Sequence, residues 1–279
     1  MNEGRSVAGS RPIAVGRTGE IYPWNEGQVI KLYRAGSSRE YVTREARVSR
    51  IAHGLALPAP GVHEAETVDG LWEIDGRLGI VYDRVDGPTM LRDLAAHPWR
   101  VVRHSKALAT LHAQVHSASG SGLPDLRERL AHVIDRVAGF PEALRAVARS
   151  TLDGLPDGEK VCHGDFHPDN IILREGGPVI VDWGPASCGH PCADVAWTLL
   201  LFRFGSPVDQ PLAVRLALAV FRRISLCVYL RTYALLTGTT RHDIERWLGV
   251  IAVLRLADRI PEERESLLAL IDTHLRGTG

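Results

Sequence analysis

The hydrophobic period of this chain changes once, near Val85. Before that point the apolar residues mark strands, with one helix among them; beyond it they recur at helical spacing. Ile13 to Val15, Glu20 to Trp24 and Gln28 to Tyr33 read as strands, with Gly16-Arg17-Thr18-Gly19 and Asn25-Glu26-Gly27 as turns. Ser37-Ser38-Arg39-Glu40 matches a capping box, serine first and glutamate three residues on, and opens a helix to about His53, where Gly54 ends it. Leu71 to Ile74 and Leu78 to Tyr82 flank Asp75-Gly76, a strong hairpin turn. Asp86-Gly87-Pro88 marks a junction, so the expected organisation is a smaller part, residues 1–86, and a larger one, residues 87–279.

In the larger part Val101 to Val115, Leu126 to Val137 and Glu142 to Leu152 read as helices, and Val161 to Asn170 as irregular chain. Ile171 to Leu173 and Val179 to Val181 form a short hairpin around Glu175-Gly176-Gly177. From Asp194 onward the pattern is helical, broken near Pro211, Gly238 and Pro261. The fold class is therefore α+β, a small antiparallel sheet with one helix followed by a mainly helical region.

Charge narrows the function. The 33 basic and 33 acidic residues cancel, so no bulk positive field points to nucleic acid or an anionic membrane. Cys162, Cys188, Cys192 and Cys227 are too few for a disulfide scaffold in 279 residues, which fits a reducing compartment. Cys188, His190 and Cys192 lie close together but read as ordinary buried or loop groups. The N-terminus carries no apolar signal segment, and a cytoplasmic protein is expected. Oligomeric state is not legible.

The chemistry concentrates in His163-Gly164-Asp165-Phe166-His167-Pro168-Asp169-Asn170, with Asp182 twelve residues further on at the end of an apolar strand. This spacing sets a carboxylate on a loop, an amide at the loop's far end and a second carboxylate at a strand end. An amide oxygen and a carboxylate are hard ligands suited to Mg²⁺. A separate carboxylate can take a hydroxyl proton. Phosphoryl transfer requires those parts.

The same residues resemble the catalytic and metal-binding segments of the aminoglycoside phosphotransferase and choline kinase family, which has a two-lobed, protein-kinase-like fold. The resemblance implies that Asp165 is the catalytic base, that Asn170 and Asp182 hold Mg²⁺, and that Trp183-Gly184 stands where protein kinases carry Phe-Gly. It implies an ATP- and Mg²⁺-dependent kinase acting on a hydroxyl of a small molecule: an antibiotic such as an aminoglycoside, an amino alcohol or a sugar. It also implies that the Asp83-Arg84-Val85 linker meets the adenine edge through its backbone, and that Gly16 and Gly19 belong to a flap over the phosphates. Asp194, in a matching context, would brace the catalytic loop, although as a helix-opening residue it also reads as an N-cap.

A kinase of this kind needs a lysine on an early strand. Lys31 lies within Val29-Ile30-Lys31-Leu32-Tyr33 and is one of three lysines in the chain. Glu45 falls on the apolar stripe of the following helix, where a carboxylate is costly without a cation. A Lys31–Glu45 ion pair is the expected solution, with Lys31 on the α- and β-phosphates.

The acceptor is less legible. From Gly87 onward 21 acidic and 22 basic residues nearly balance, so no strongly anionic pocket is indicated. Glu262, Glu263 and Glu265, interleaved with Arg259 and Arg264, read as a solvated helix face. A choline-like substrate would call for an aromatic cage, for which Trp197, Tyr229, Tyr233 and Trp247 are the candidates. His112, His116 and His190 read as packed or surface histidines. Two other readings compete: a non-catalytic nucleotide-binding module on the same fold, and a protein kinase. The latter is disfavoured because only eleven residues separate Asp182 from Asp194 and no Ala-Pro-Glu follows Asp182.

Overall fold

The computed structural model describes residues 7, 9–204 and 212–276. Its strands are β1 (Ala14–Val15), β2 (Gly19–Pro23), β3 (Gln28–Tyr33), β4 (Val62–His63), β5 (Trp72–Ile74), β6 (Arg77–Asp83), β7 (Lys160–Cys162), β8 (Ile171–Ile172), β9 (Val179–Ile180) and β10 (Ser187–Gly189). Its α-helices are α1 (Arg39–Gly54), α2 (Met90–Ala96), α3 (Val101–Ser117), α4 (Leu126–Arg136), α5 (Glu142–Asp153), α6 (Pro191–Phe204), α7 (Leu212–Thr237), α8 (Arg241–Leu256) and α9 (Arg264–Arg276). The chain divides into two units: Met1–Met90 with Asp169–Pro185, and Leu91–Pro168 with Ala186–Gly279.

The first unit is built on an antiparallel sheet in the order β1-β2-β3-β6-β4, with β5 also paired to β6. β3 is central and buried on both faces. Ile30 and Leu32 point to one side, where they pack with Tyr22, Ile74 and Val81. On the other side Tyr33 packs with Val42 and Ala46 of α1 and with Leu71 and Ile80. Each fully buried aliphatic side chain here contributes about 1.5–3 kcal/mol. Strand alternation puts Lys31 on the same face as Tyr33, the face that α1 covers.

The sheet explains Gly19. It sits opposite Tyr33 in the β2–β3 ladder, and a Cβ there would run into the Leu32 carbonyl oxygen and come within 3.2 Å of the Tyr33 Cα. Close strand packing is thus sufficient reason for a glycine at this position. The β5–β6 turn is Asp75-Gly76, both with positive φ, as the hairpin signal requires.

α1 begins one residue later than the capping box suggests. Its N-cap is Ser38, whose hydroxyl accepts from the Tyr41 N–H, and Glu40 lies in the first turn. Such a cap is worth about 1 kcal/mol.

The hairpin β8–β9 belongs to the first unit although it comes late in sequence. Thr89 Oγ1 donates to Asp169 Oδ1 at 2.8 Å, the Leu173 N–H to the Pro88 carbonyl at 2.9 Å, and the Ile180 N–H to the Pro58 carbonyl at 2.6 Å.

The second unit is mainly helical. α3 and α7 pack along their lengths, α8 packs on α6 and α9, and the two short strands β7 and β10 pair antiparallel. These strands and α2 are absent from the sequence reading. α6 starts at Pro191, so Asp194 lies within its first turn and is not an N-cap. The break expected near Pro211 lies outside the described residues. All four cysteines are free thiols. Among the described residues no helix is long and apolar enough to cross a membrane.

Candidate active site

In the first unit three charged side chains meet. Lys31 Nζ donates to Glu45 Oε1 at 2.6 Å and to Asp182 Oδ1 at 2.9 Å. The pair expected from the α1 stripe is present, and Asp182 joins it from 151 positions away. Glu45 and Lys31 are nearly enclosed, whereas the Asp182 side chain is 41% exposed, so the cluster opens to solvent on the Asp182 side. Burial alone would lower the pKa of Lys31. The charges of Glu45 and Asp182 outweigh it and hold the ammonium protonated beyond its ordinary range.

The segment around Asp182 is shaped for this meeting. Asp182 has φ of 64°, a backbone conformation uncommon outside glycine. Strain of this kind persists only where surroundings impose it. On one side the Val181 N–H bonds the Asn170 carbonyl at 2.9 Å, continuing the β8–β9 ladder. On the other, the buried Trp183 indole donates to the Ile180 carbonyl at 2.9 Å. A Cβ at Gly184 would stand 2.6 Å from Glu45 Oε2, so the residue after Trp183 must be small for Glu45 to reach Lys31. Asn170 and Asp182 thus flank one ladder end with an amide and a half-exposed carboxylate, and this hard-oxygen donor set fits Mg²⁺.

Asp83 and Val85 lie at the end of β6. The Asp83 carboxylate is occupied by the Gly61 N–H at 2.9 Å and by His63 Nε2 at 2.7 Å, and the Arg84 N–H bonds the Gly27 carbonyl. At the glycine turn the Gly16 N–H bonds the Gly19 carbonyl at 2.8 Å.

Asp165 lies in the second unit, on the loop after β7. Its Oδ1 accepts from the Trp197 indole at 3.3 Å, and its Oδ2 is 3.5 Å from His167 Nε2. Burial works to raise its pKa, but His167, His163 and the Trp197 hydrogen bond overcome it and hold the carboxyl at about 2. The group is a carboxylate at neutral pH.

The loop is clamped from beneath by Asp194. Its Oδ2 takes the His163 N–H at 2.5 Å and its Oδ1 takes the Gly164 N–H at 2.8 Å. Oδ2 also faces His112 Nε2 at 3.1 Å and His116 Nε2 at 3.2 Å. Each histidine meets a tyrosine through its other nitrogen, Tyr229 for His112 and Tyr233 for His116, both at 2.6 Å. Burial, with His116 alongside, holds His112 neutral, its pKa pushed down to about 3. A neutral imidazole that donates through Nε2 accepts through Nδ1, so Tyr229 donates to His112 and His112 to Asp194. Despite complete burial, these donors keep the Asp194 carboxyl well below the usual range. The two histidines and Asp194 are close enough to hold a cation, but here they satisfy one another.

The Asp194 contact to the loop is the one the resemblance implies and the histidines are packed as expected, but their joint role as its donors is not expected from sequence. Its signal is a shared period: His112 and His116 are four apart on α3, as are Tyr229 and Tyr233 on α7. The tyrosines and Trp247, which stacks on His190 at 5.5 Å, are buried and do not form an open aromatic cage. Glu263 is likewise no solvated residue. It is buried and pairs with Arg255.

The profile of the phosphotransferase enzyme family matches residues 13–226, and the chain belongs to that family. No curated protein matches the chain in sequence. Among solved structures the chain is similar to a thermostable mutant of aminoglycoside phosphotransferase APH(4)-Ia in complex with AMP-PNP and hygromycin B. There the identity is 15%, the coverage 96% of this chain and 94% of the other, and the TM-score 0.66. It is similar to an APH(2") enzyme bound to GDP and kanamycin (15%, 96% and 93%, TM-score 0.55). It is also similar to macrolide 2'-phosphotransferase MphH from Brachybacterium faecium (18%, 94% and 91%, TM-score 0.52). The fold is the two-lobed kinase-like fold expected from the motif.

Proposed function

We propose that this phosphotransferase moves the γ-phosphate of ATP to a hydroxyl of a small molecule, with an antibiotic-like acceptor as the first candidate. The observation that carries the reading is the Lys31–Glu45–Asp182 cluster, in which the expected lysine–glutamate pair is joined by a carboxylate 151 positions from the lysine.

In this reading Lys31, fixed by Glu45, binds α- and β-phosphate oxygens. Asn170 and Asp182 would hold Mg²⁺, which would supply positive charge against the phosphates. The Asp83–Val85 backbone meets the adenine, and Gly16 and Gly19 lie in the turn over the phosphates. Asp165 orients the acceptor hydroxyl and takes its proton as the new O–P bond forms and the bond from Pγ to the β-bridging oxygen breaks, releasing ADP. A carboxylate this acidic is a weak base. That suffices because the transition state is loose, and positioning and charge supply most of the acceleration.

The neighbours bound to hygromycin B and kanamycin, and the macrolide enzyme, support an antibiotic-like acceptor. A choline-like substrate is disfavoured because the aromatic residues that could cage it are buried and engaged. A peptide substrate is disfavoured by the short path from Asp182 to α6, part of which is β10. The test is a titration with Mg-AMP-PNP, with GDP in parallel. Asp182→Ala is expected to abolish Mg²⁺-dependent binding, whereas Asp165→Asn is expected to bind normally and lose turnover by at least about a thousandfold. Normal binding by Asp182→Ala would refute the assignment.

A further inference from the structure

α6 holds the catalytic loop at successive residues along one face. Asp194, Trp197 and Thr198 are spaced i, i+3 and i+4, which puts them on one side of the helix. Asp194 takes the backbone N–H groups of His163 and Gly164, the Trp197 indole donates to the Asp165 carboxylate, and Thr198 Oγ1 donates to the Phe166 carbonyl at 2.9 Å. Two of these grips fix the backbone. Only the one from Trp197 acts on the side chain that the proposed reaction uses.

The distinction matters because the terminal torsion of an aspartate is soft. Its carboxylate plane rotates in a broad, two-fold well unless a hydrogen bond sets it. An indole nitrogen is a donor and nothing else, so it can bind only an acceptor there. Trp197 is 8% exposed, and its N–H would be costly to bury without such a partner.

The indole is itself held in place. The Arg255 guanidinium lies over its ring, 5.8 Å from the centroid, within cation–π range. Arg255 is fixed in turn by a planar fork: Nε to Glu263 Oε2 at 2.8 Å and Nη2 to Glu263 Oε1 at 2.8 Å, with Nη1 on Asp258 Oδ2 at 3.0 Å. Both members of the Arg255–Glu263 pair are buried. A buried ion pair is a poor source of stability but a good source of fixed geometry.

We propose that Trp197 is the positioning residue for the Asp165 carboxylate, and that the buried Arg255–Glu263 pair holds the indole in register for that task. The inference rests on the reading of Asp165 as the group that accepts the hydroxyl proton. It extends the reacting assembly to α8 and to the turn before α9, neither of which carries a recognisable motif.

The test uses Trp197→Phe, which keeps a ring beneath Arg255 and removes the N–H. Mg-ATP turnover is measured with whichever of kanamycin, hygromycin B or a macrolide most accelerates ADP release, or as basal hydrolysis, with water as acceptor, if none does. The expected result is a fall in kcat of about tenfold with the KM for ATP unchanged. Arg255→Met with Glu263→Leu removes both buried charges together and is expected to lower kcat about threefold, again without a change in KM. A second readout is spectroscopic and does not depend on turnover. In the ¹H–¹⁵N spectrum of Asp165→Asn, one indole N–H resonance should move upfield as it loses a charged acceptor, and it should be the resonance missing from Trp197→Phe.

Wild-type kcat in Trp197→Phe, together with loss of turnover in Asp165→Asn, would overturn the positioning role and leave the role of Asp165 standing. An indole spectrum unmoved by Asp165→Asn would overturn the contact itself. Wild-type turnover in Asp165→Asn would remove the underlying reading, and this inference with it.

Discussion

Glu45 and Asp194 are both buried carboxylates, yet they are stabilised in opposite ways. Glu45 is met by a full positive charge, Lys31, which also reaches a half-exposed partner in Asp182. Among the described residues no lysine or arginine pairs with Asp194; two backbone N–H groups and the imidazoles of His112 and His116 meet it. A charge pair beside solvent can exchange partners, and Lys31 is expected to give up Asp182 when phosphates arrive. A carboxylate locked by buried donors has no comparable alternative and serves as a fixed point for a loop. The first arrangement suits ligand binding and the second suits support.

The difference can be broken most severely at Asp194. Asp194→Ala leaves two buried backbone N–H groups and two imidazoles without an acceptor, and is expected to cost about 3–5 kcal/mol in urea denaturation. An effect under about 1 kcal/mol would mean that the network does not hold the loop. Glu45→Gln should be milder on stability, about 1–2 kcal/mol, because Lys31 keeps Asp182. Its larger effect should be about a tenfold loss of Mg-ATP affinity by calorimetry, and an unchanged affinity would show that Lys31 needs no fixing.

Gly184→Ala sharpens the same point more gently. The new methyl group crowds Glu45 Oε2, and nucleotide affinity should fall a few-fold, about 0.5–1 kcal/mol, with little change in melting temperature. A further effect is expected from pH. His112 titrates near 3 in the folded chain against an ordinary 6.5, so unfolding takes up a proton between those values. Stability from this site is complete above about pH 6.5 and declines as the pH falls toward 3. Asp194 acts in the same direction at lower pH, since its contribution is present above about 3.9 and is lost as the pH falls through its depressed folded value. His112→Asn should flatten the fall in urea midpoint between pH 7 and 5. A slope unchanged in the variant would assign that titration elsewhere.

The two carboxylates also differed in how far they could be read from sequence. Glu45 was legible because its argument is local: a helical period puts it on the buried stripe, and a scarce lysine lies fourteen residues away. The fold class followed from the change of period, and the loop residues from their spacing. The donors around Asp194 were not legible, because His112 and His116 meet tyrosines 117 positions distant and no short pattern announces that pairing. Glu263 was misread for a related reason. Its neighbours Glu262, Arg264 and Glu265 suggest a solvated face, and only the fold shows Arg255 arriving from α8. β7 and β10 are not legible because each has three residues and its partners lie far along the chain. Even the helix start turns on which of two adjacent serines offers its hydroxyl to the first turn, and Ser38 does so.

The most direct test of the division of roles is ADP release from Mg-ATP against aminoglycosides, macrolides, amino alcohols, amino acids and sugars, with wild type beside Asp165→Asn. The account predicts that at least one hydroxylated acceptor raises the wild-type rate well above basal hydrolysis. It also predicts that Asp165→Asn binds Mg-ATP but loses that increment. An acceptor-dependent rate that persists in Asp165→Asn, or no binding of Mg-ATP by the wild type, would contradict it.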